Sequence, residues 1–459
     1  MRGIFLTGTI MMGAVLSAAG ATAVWEPSDR HPVGMLTGID ESGNLYAVCS
    51  YWDDTTSWDY LISKYDKEGE ILWQRRYDRS VNGSDVADAM AVDSEGNIVV
   101  TGSSTVSKSG KFGVPPWDYG YVTVKYDANG RKLWEAIYRG SSAELPFPVG
   151  VALDSSGNVC VTSECRAEEQ GGGSCEESEL ARPSHLLTIK YGTDGEMRWL
   201  ARYSGPGCSN YPRDIATDDA GNIYITGGTS GRSLRLSGYS NFVTIKYDAN
   251  GKLLWEAWHT EDKHGGMAAA LALDRNGNAY VLGHSSDLSG DLLDNPNTWF
   301  VTVKYSTDGK RQWVARYRTS EGIDVWPAAI ALDRLGNVYI TGRTEFGDAP
   351  HPGSAPDEWR QHYSDPNMVP VKCDIMTIKY DPSGKQQWVR TYEGAEGRET
   401  FWVYGLMVDV RGNIYPKASI EDMEDKGFGI MIKYDPDGNQ KWARRFKHER
   451  ETQKILASP

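Results

Sequence analysis

Beyond its first two dozen residues, this chain of 459 residues has no apolar run long enough to cross a membrane. It has no run of basic residues either, and its formal net charge is −14. That balance argues against a surface built to hold a nucleic-acid backbone, which needs a basic stripe. Six cysteines are too sparse for a disulfide scaffold, and none shows the spacing of a zinc site. The chain also lacks a G-x-S-x-G elbow, an H-E-x-x-H pair, a phosphate-binding P-loop and an Asp-rich calcium loop. No cofactor is expected.

What the chain has is repetition. The phrase apolar-x-Asp-x-x-Gly-Asn occurs with its Asp at Asp40, Asp93, Asp154, Asp218, Asp274, Asp333 and Asp409. After each comes Lys-Tyr-x-x-x-Gly, with Lys at Lys64, Lys125, Lys190, Lys246, Lys304, Lys379 and Lys433. A tryptophan closes each unit, at Trp73, Trp134, Trp199, Trp255, Trp313, Trp388 and Trp442. The Asp residues are 53 to 76 residues apart, so the array fills almost the whole chain.

Each unit parses into four short strands. In the fourth these are Asp214–Thr217, Asn222–Gly227, Phe242–Tyr247 and Lys252–Trp258, β-branched and aromatic segments with alternating apolar positions. Asp-x-x-Gly-Asn and Asp-Ala-Asn-Gly between them are hairpin turns, with Gly where a positive φ is needed. Seven such units predict an all-β, seven-bladed β-propeller with four antiparallel strands per blade. The repeats run over about 33–79, 86–140, 147–205, 211–260, 267–319, 326–394 and 402–447 within a domain of residues 24–459.

The pairing of D-x-x-G-N-x-Y-x-T-G with T-x-K-Y-D-x-x-G-x-x-x-W resembles the bacterial SBBP-type β-propeller repeat, over about residues 33 to 447. The resemblance implies an exported bacterial propeller but no common activity, so no catalytic residue carries over. Three repeats depart from the pattern: Cys49 replaces Gly, Cys160 replaces Tyr, and Pro416 follows Tyr415. Those blades are expected to be irregular.

Residues 1–23 read as a signal peptide: Arg2, an apolar stretch from Ile4 to Ala19, then Ala21-Thr22-Ala23 as a cleavage site. The competing reading is an uncleaved anchor. With cleavage, the mature chain begins at Val24 and is secreted, periplasmic or held at the cell surface. Cys165 and Cys175 flank a Gly-rich segment and are the candidate disulfide. Cys160 reads as packing, and Cys49, Cys208 and Cys373 have no evident partner.

The recurrent Trp residues read as packing between blades. The recurrent Lys residues read as seven ion pairs with the turn Asp residues, not as a binding ring. Because the one–two and three–four turns share a face and are uniform, length variation falls on the other face. There the two–three connections range from 13 to 35 residues, and long connections are where binding residues gather.

On that variable face, seven residues before each turn Asp, stand Val33, Val86, Phe147, Tyr211, Met267, Trp326 and Trp402. This column belongs at the start of the innermost strands, near the mouth of the central channel. It is either a packing ring or an aromatic platform for sugar rings or a peptide. The candidate ligand-binding residues are Phe147, Tyr211, Trp326 and Trp402, with Trp359 and His362 from the long insertion in repeat six. That insertion also carries Asp357 and Glu358, which are either acid–base groups or ordinary charges of a polar loop.

The sequence thus points to a binding or protein-interaction module with an extracellular polysaccharide or protein partner. The alternatives are a polysaccharide hydrolase or lyase acting at the channel mouth, and a structural unit of a cell-surface assembly.

Overall fold

The structure is a computed structural model. It describes residues 36–447 except 41, 54–56, 67–69, 80–84, 106–118, 141–143, 168–183, 206–208, 231–239, 260–263, 288–297, 319–323, 347–371, 394–399 and 422–427. The signal-peptide expectation, Val33, Trp359, His362 and Cys175 lie outside these residues. Among the described residues all regular structure is strand, and no helix is long and apolar enough to cross a membrane.

Each repeat forms its own four-stranded antiparallel sheet in chain order. The first blade is β1 (Leu36–Ile39), β2 (Leu45–Asp53), β3 (Ser57–Tyr65) and β4 (Ile71–Tyr77). The second is β5 (Asp85–Val92), β6 (Ile98–Thr105), β7 (Tyr119–Tyr126) and β8 (Lys132–Tyr138). The third is β9 (Glu144–Leu153), β10 (Val159–Ala167), β11 (Ser184–Tyr191) and β12 (Met197–Tyr203). The fourth is β13 (Ser209–Thr217), β14 (Ile223–Ser230), β15 (Ser240–Tyr247) and β16 (Leu253–His259). The fifth is β17 (His264–Leu273), β18 (Ala279–Asp287), β19 (Thr298–Tyr305) and β20 (Arg311–Tyr317). The sixth is β21 (Asp324–Leu332), β22 (Val338–Phe346), β23 (Lys372–Tyr380) and β24 (Gln386–Glu393). The seventh is β25 (Thr400–Val408), β26 (Ile414–Glu421), β27 (Phe428–Tyr434) and β28 (Gln440–Lys447).

From the first blade to the seventh, the first strand of each blade lies against its counterpart in the next, which places these strands around the central axis. Every junction between blades holds a separate apolar cluster. The last of these joins Leu45, Ala47 and Tyr65 of the first blade to Met407, Tyr415 and Met431 of the seventh. The ring therefore closes by side-chain packing, with each described blade made of consecutive chain. Cys160 is fully buried in the cluster between blades three and four, as expected of a packing residue.

The uniform face is cross-linked from blade to blade. Asp218 accepts from the backbone N–H groups of Ala220 and Asn222, from the Asn222 amide and from the Tyr224 hydroxyl. The same hydroxyl lies 2.8 Å from the Gly277 carbonyl of the next blade's turn, so its one proton is shared between that oxygen and Asp218. The Trp residues also reach the next blade, further out. Trp199 Nε1 donates to the Ala249 carbonyl at 3.0 Å, and Trp73, Trp134, Trp255, Trp313 and Trp388 donate to equivalent carbonyls. Gly251 shows why these turns need glycine: its φ is +86°, and a Cβ there would lie 2.7 Å from the Trp199 ring.

Among the described residues the expected ion pair is seen in the first four blades. Lys64–Asp40, Lys125–Asp93, Lys190–Asp154 and Lys246–Asp218 lie at 3.3, 3.6, 2.9 and 3.5 Å. Lys304, Lys379 and Lys433 sit over the rings of Tyr280, Tyr339 and Tyr415, as Lys64 and Lys246 do over Tyr46 and Tyr224. Lys379 shows the competition that displaces the pair: its ammonium donates to the Pro436 carbonyl of the next blade at 2.9 Å. The irregularity expected in repeat seven is real, because the β26–β27 ladder skips Tyr415 and Pro416, and Pro has no N–H to give.

Candidate binding site

The innermost strands start earlier than their sequence suggested. β13 begins at Ser209, not Asp214, so Tyr211 lies inside the strand. A bulge hides this extension, because one unpaired residue breaks the two-residue period on which strand reading depends. The same register shift recurs in blades two to seven, at Ala87/Ala89, Thr162/Ser163, Pro212/Asp214, Ala268/Ala270, Pro327/Ala329 and Val403/Gly405. Glycine on the neighbouring strand makes room for it: a Cβ on Gly227 would lie 2.0 Å from the Tyr211 carbonyl oxygen.

The bulges add residues that sequence reading missed. Each blade from two to seven presents a column residue, its cross-strand partner and a bulged residue. Partners of Phe147, Met267, Trp326 and Trp402 are Glu164, His284, Arg343 and Ser419. Asp88, Arg213 and Tyr404 are among the bulged residues. Their only sequence signal is position, five residues before each turn Asp and in step with the aromatic column.

These groups link across the blades. Arg213 Nε and NH2 lie 3.2 and 3.1 Å from the Met267 sulfur of blade five. The Glu164 charge in blade three also acts on Arg213. His284 continues the arc, its ring 6.1 Å from that of Trp326. Arg343 then sits between two indoles, 5.5 Å from the Trp326 ring centre and 4.0 Å from that of Trp402. Glu345 fixes it, accepting from Arg343 NH2 at 2.6 Å and from Trp326 Nε1 at 3.0 Å.

Of the sequence-predicted residues, Trp326 and Trp402 are brought together through Arg343. Tyr211 occupies the equivalent place in blade four and is half-buried. Phe147 and Trp402 are exposed large apolar residues, 39% and 44% accessible. Such exposure is unusual for side chains on the innermost strands of a packed ring.

Below the mouth the titratable groups are nearly surrounded by protein yet keep some contact with solvent, as residues lining a narrow channel do. Burial, together with the charge of Arg213, pushes the His284 imidazole down to about 4, so it is neutral at pH 7. Burial pushes the Asp88 carboxyl up to about 7, although the Ser103 hydroxyl and N–H both donate to it. On β26, Lys417 replaces the buried Thr found at Thr101, Thr162, Thr226 and Thr341, and burial pushes its ammonium down to about 8.

A second carboxylate group is different in kind. Oxygens of Asp59, Asp78 and Asp85 lie within 4.8 Å of one another at the junction of blades one and two. Arg76 already enters that cluster, 2.7 Å from Asp59 and 3.6 Å from Asp78.

The beta-propeller repeat model SBBP matches residues 198–234 and 312–347. Each match runs from the outermost strand of one blade through the second strand of the next, so it spans a blade junction. A stretch of 137 residues is 29% identical to an uncharacterized WD repeat-containing protein of Acanthamoeba polyphaga mimivirus, covering 26% of this chain and 10% of that protein. The chain thus spans about a tenth of that relative's length. Among solved structures, the polysaccharide lyase Uly1 is similar at TM-score 0.46 and 8% identity, covering 96% of this chain and 95% of that one. An ulvan lyase of a new polysaccharide lyase family is similar at TM-score 0.44 and 12% identity, covering 77% and 82%. The β-propeller domain of the Trilobed protease from Pyrococcus furiosus gives TM-score 0.44 and 11% identity, covering 88% and 97%. At such identities these likenesses concern the fold alone. The SBBP beta-propeller repeat is thus detected in two segments of a chain folded as seven four-stranded blades.

Proposed function

We propose that this chain is an exported binding module that holds a saccharide chain across the mouth of its central channel. The observation that carries the reading is the Trp326–Arg343–Trp402 sandwich. Trp402 is an exposed indole on the innermost strand, and Arg343 lies 4.0 Å from its ring centre. Arg343 is itself held by Glu345. An aromatic surface with so little freedom left to lose suits the flat apolar face of a sugar ring. Phe147 and Tyr211 continue the platform through blades three and four.

The test is retention of the chain by an extracellular polysaccharide panel, with released products assayed in the same wells. Retention without products, lost in Trp402→Ala, supports the binding module. Released products would replace it with the hydrolase or lyase reading. Retention unaffected by Trp402→Ala and Trp326→Ala would move the ligand away from the mouth.

A further inference from the structure

Two cations in the channel lack adequate acceptors. Arg213 has several N–H donors, yet the hydrogen bonds it makes among the described residues go to the Met267 sulfur, a weak acceptor. The nearby Glu164 charge acts on it at longer range. Lys417 is the more isolated: its side chain is nine-tenths buried, and among the described residues it has neither a hydrogen-bond nor an ion-pair partner. A buried charge of that kind is costly unless something else pairs with it.

The path of Lys417 points inward. It pairs across the ladder with Gly405 on β25, and a Cβ on that glycine would lie 3.8 Å from the Lys417 Cδ. The lysine stem thus lies over a side-chain-free position of the innermost strand, two residues along β26 from Ser419, the partner of Trp402. Arg213 comes from the opposite arc of the ring at its bulge. Asp88, the carboxyl on the blade-two bulge, keeps its proton up to about pH 7 and so sets little negative charge against them below that pH.

We propose that the channel beneath the aromatic mouth is an anion chamber, in which Arg213 and Lys417 hold a carboxylate of the saccharide whose rings lie on Trp326 and Trp402. The substrate class is therefore an acidic, uronate-type saccharide and not a neutral one. This step rests on the binding reading above for the placement of the rings. A guanidinium meets a carboxylate through paired N–H donors, while a lysine ammonium serves as a point charge, so the two together fix both orientation and charge.

The experiment uses uronic-acid oligosaccharides, each beside its methyl ester, with affinities measured by calorimetry on the full chain. The acids are expected to bind at least about tenfold tighter than their esters, with added NaCl eroding that preference. Arg213→Gln and Lys417→Met should each shrink the acid-to-ester ratio toward one. Lys417→Met should also melt at a higher temperature than the parent without ligand, because it removes an unpaired buried charge. A residue with a purely structural role would not raise stability while lowering the preference. Equal binding of acids and esters would overturn the anion chamber and leave the ring platform standing. Binding of neither form would overturn both. An unchanged ratio in the two variants would overturn the roles of Arg213 and Lys417.

Discussion

The two faces of this propeller are built from the same strands by opposite rules. On the turn face the blades repeat one solution: Asp receives the backbone of its own turn in all seven, and Trp reaches the next blade's carbonyl in the first six. On the channel-mouth face the equivalent positions diverge, as Val86, Phe147, Tyr211, Met267, Trp326 and Trp402 show. Repetition marks the residues that the ring needs to close. Divergence at a repeated position marks residues released from that duty, so function is sought there.

Replacing one tryptophan on each face tests this division most directly. Trp199→Ala should cost about 2–4 kcal/mol of stability, since it opens a cavity between blades three and four and removes one of the two donors to the Ala249 carbonyl, leaving Lys190. Binding should be unchanged once the variant is folded, as calorimetric melting and ligand titration would report. Trp402→Ala should do the reverse: affinity for the retained saccharide falls about tenfold or more, about 1.4 kcal/mol, with little change in melting. A Trp402→Ala variant that melts like Trp199→Ala would return the exposed column to the packing reading.

A smaller effect is expected at the buried ion pairs. Lys246→Met should cost about 1–2 kcal/mol, less than a bare buried charge would, because Asn222 and Tyr224 still donate to Asp218. Urea titration with and without ligand checks it, and an unaltered midpoint would mean the pair contributes nothing.

The subtlest test concerns pH. In the folded chain burial holds the Asp88 proton to about pH 7, whereas the unfolded chain loses it near its ordinary value of 3.8. Between those values the folded state binds more protons, so this group's contribution to stability falls as pH rises from about 4 to about 7. Asp88→Asn lacks that dependence. Melting compared at pH 5 and pH 8 should therefore show the variant gaining on the parent at the higher pH.

Much of the fold was legible because its signals are local. A hairpin turn needs Gly at positive φ and an Asx side chain within four residues, and seven copies of that pattern set the strand order. The Trp residues were legible as packing because they recur without exception. The seven expected ion pairs were legible only in part, since whether Lys379 meets Asp333 or the Pro436 carbonyl depends on how closely the next blade approaches. Trp326 and Trp402 were readable as a column, but Arg343 between them was not. Arg343 stands where the second strand of repeat six runs into its long insertion, and nothing in its neighbours indicates that it would stack between two indoles.

The sequence by itself determined the number of blades, their four-strand composition and the face on which variation would gather. Each of these follows from period-two alternation and turn chemistry within about ten residues. The tertiary structure alone decided which side chains meet around the axis: Arg213 with Met267, Arg343 with Trp402, and Lys417 with no partner among the described residues. Those meetings depend on bulges that redirect single residues and on the convergence of strands more than fifty residues apart. No local pattern records either, because the free energy that sets them lies in contacts between blades.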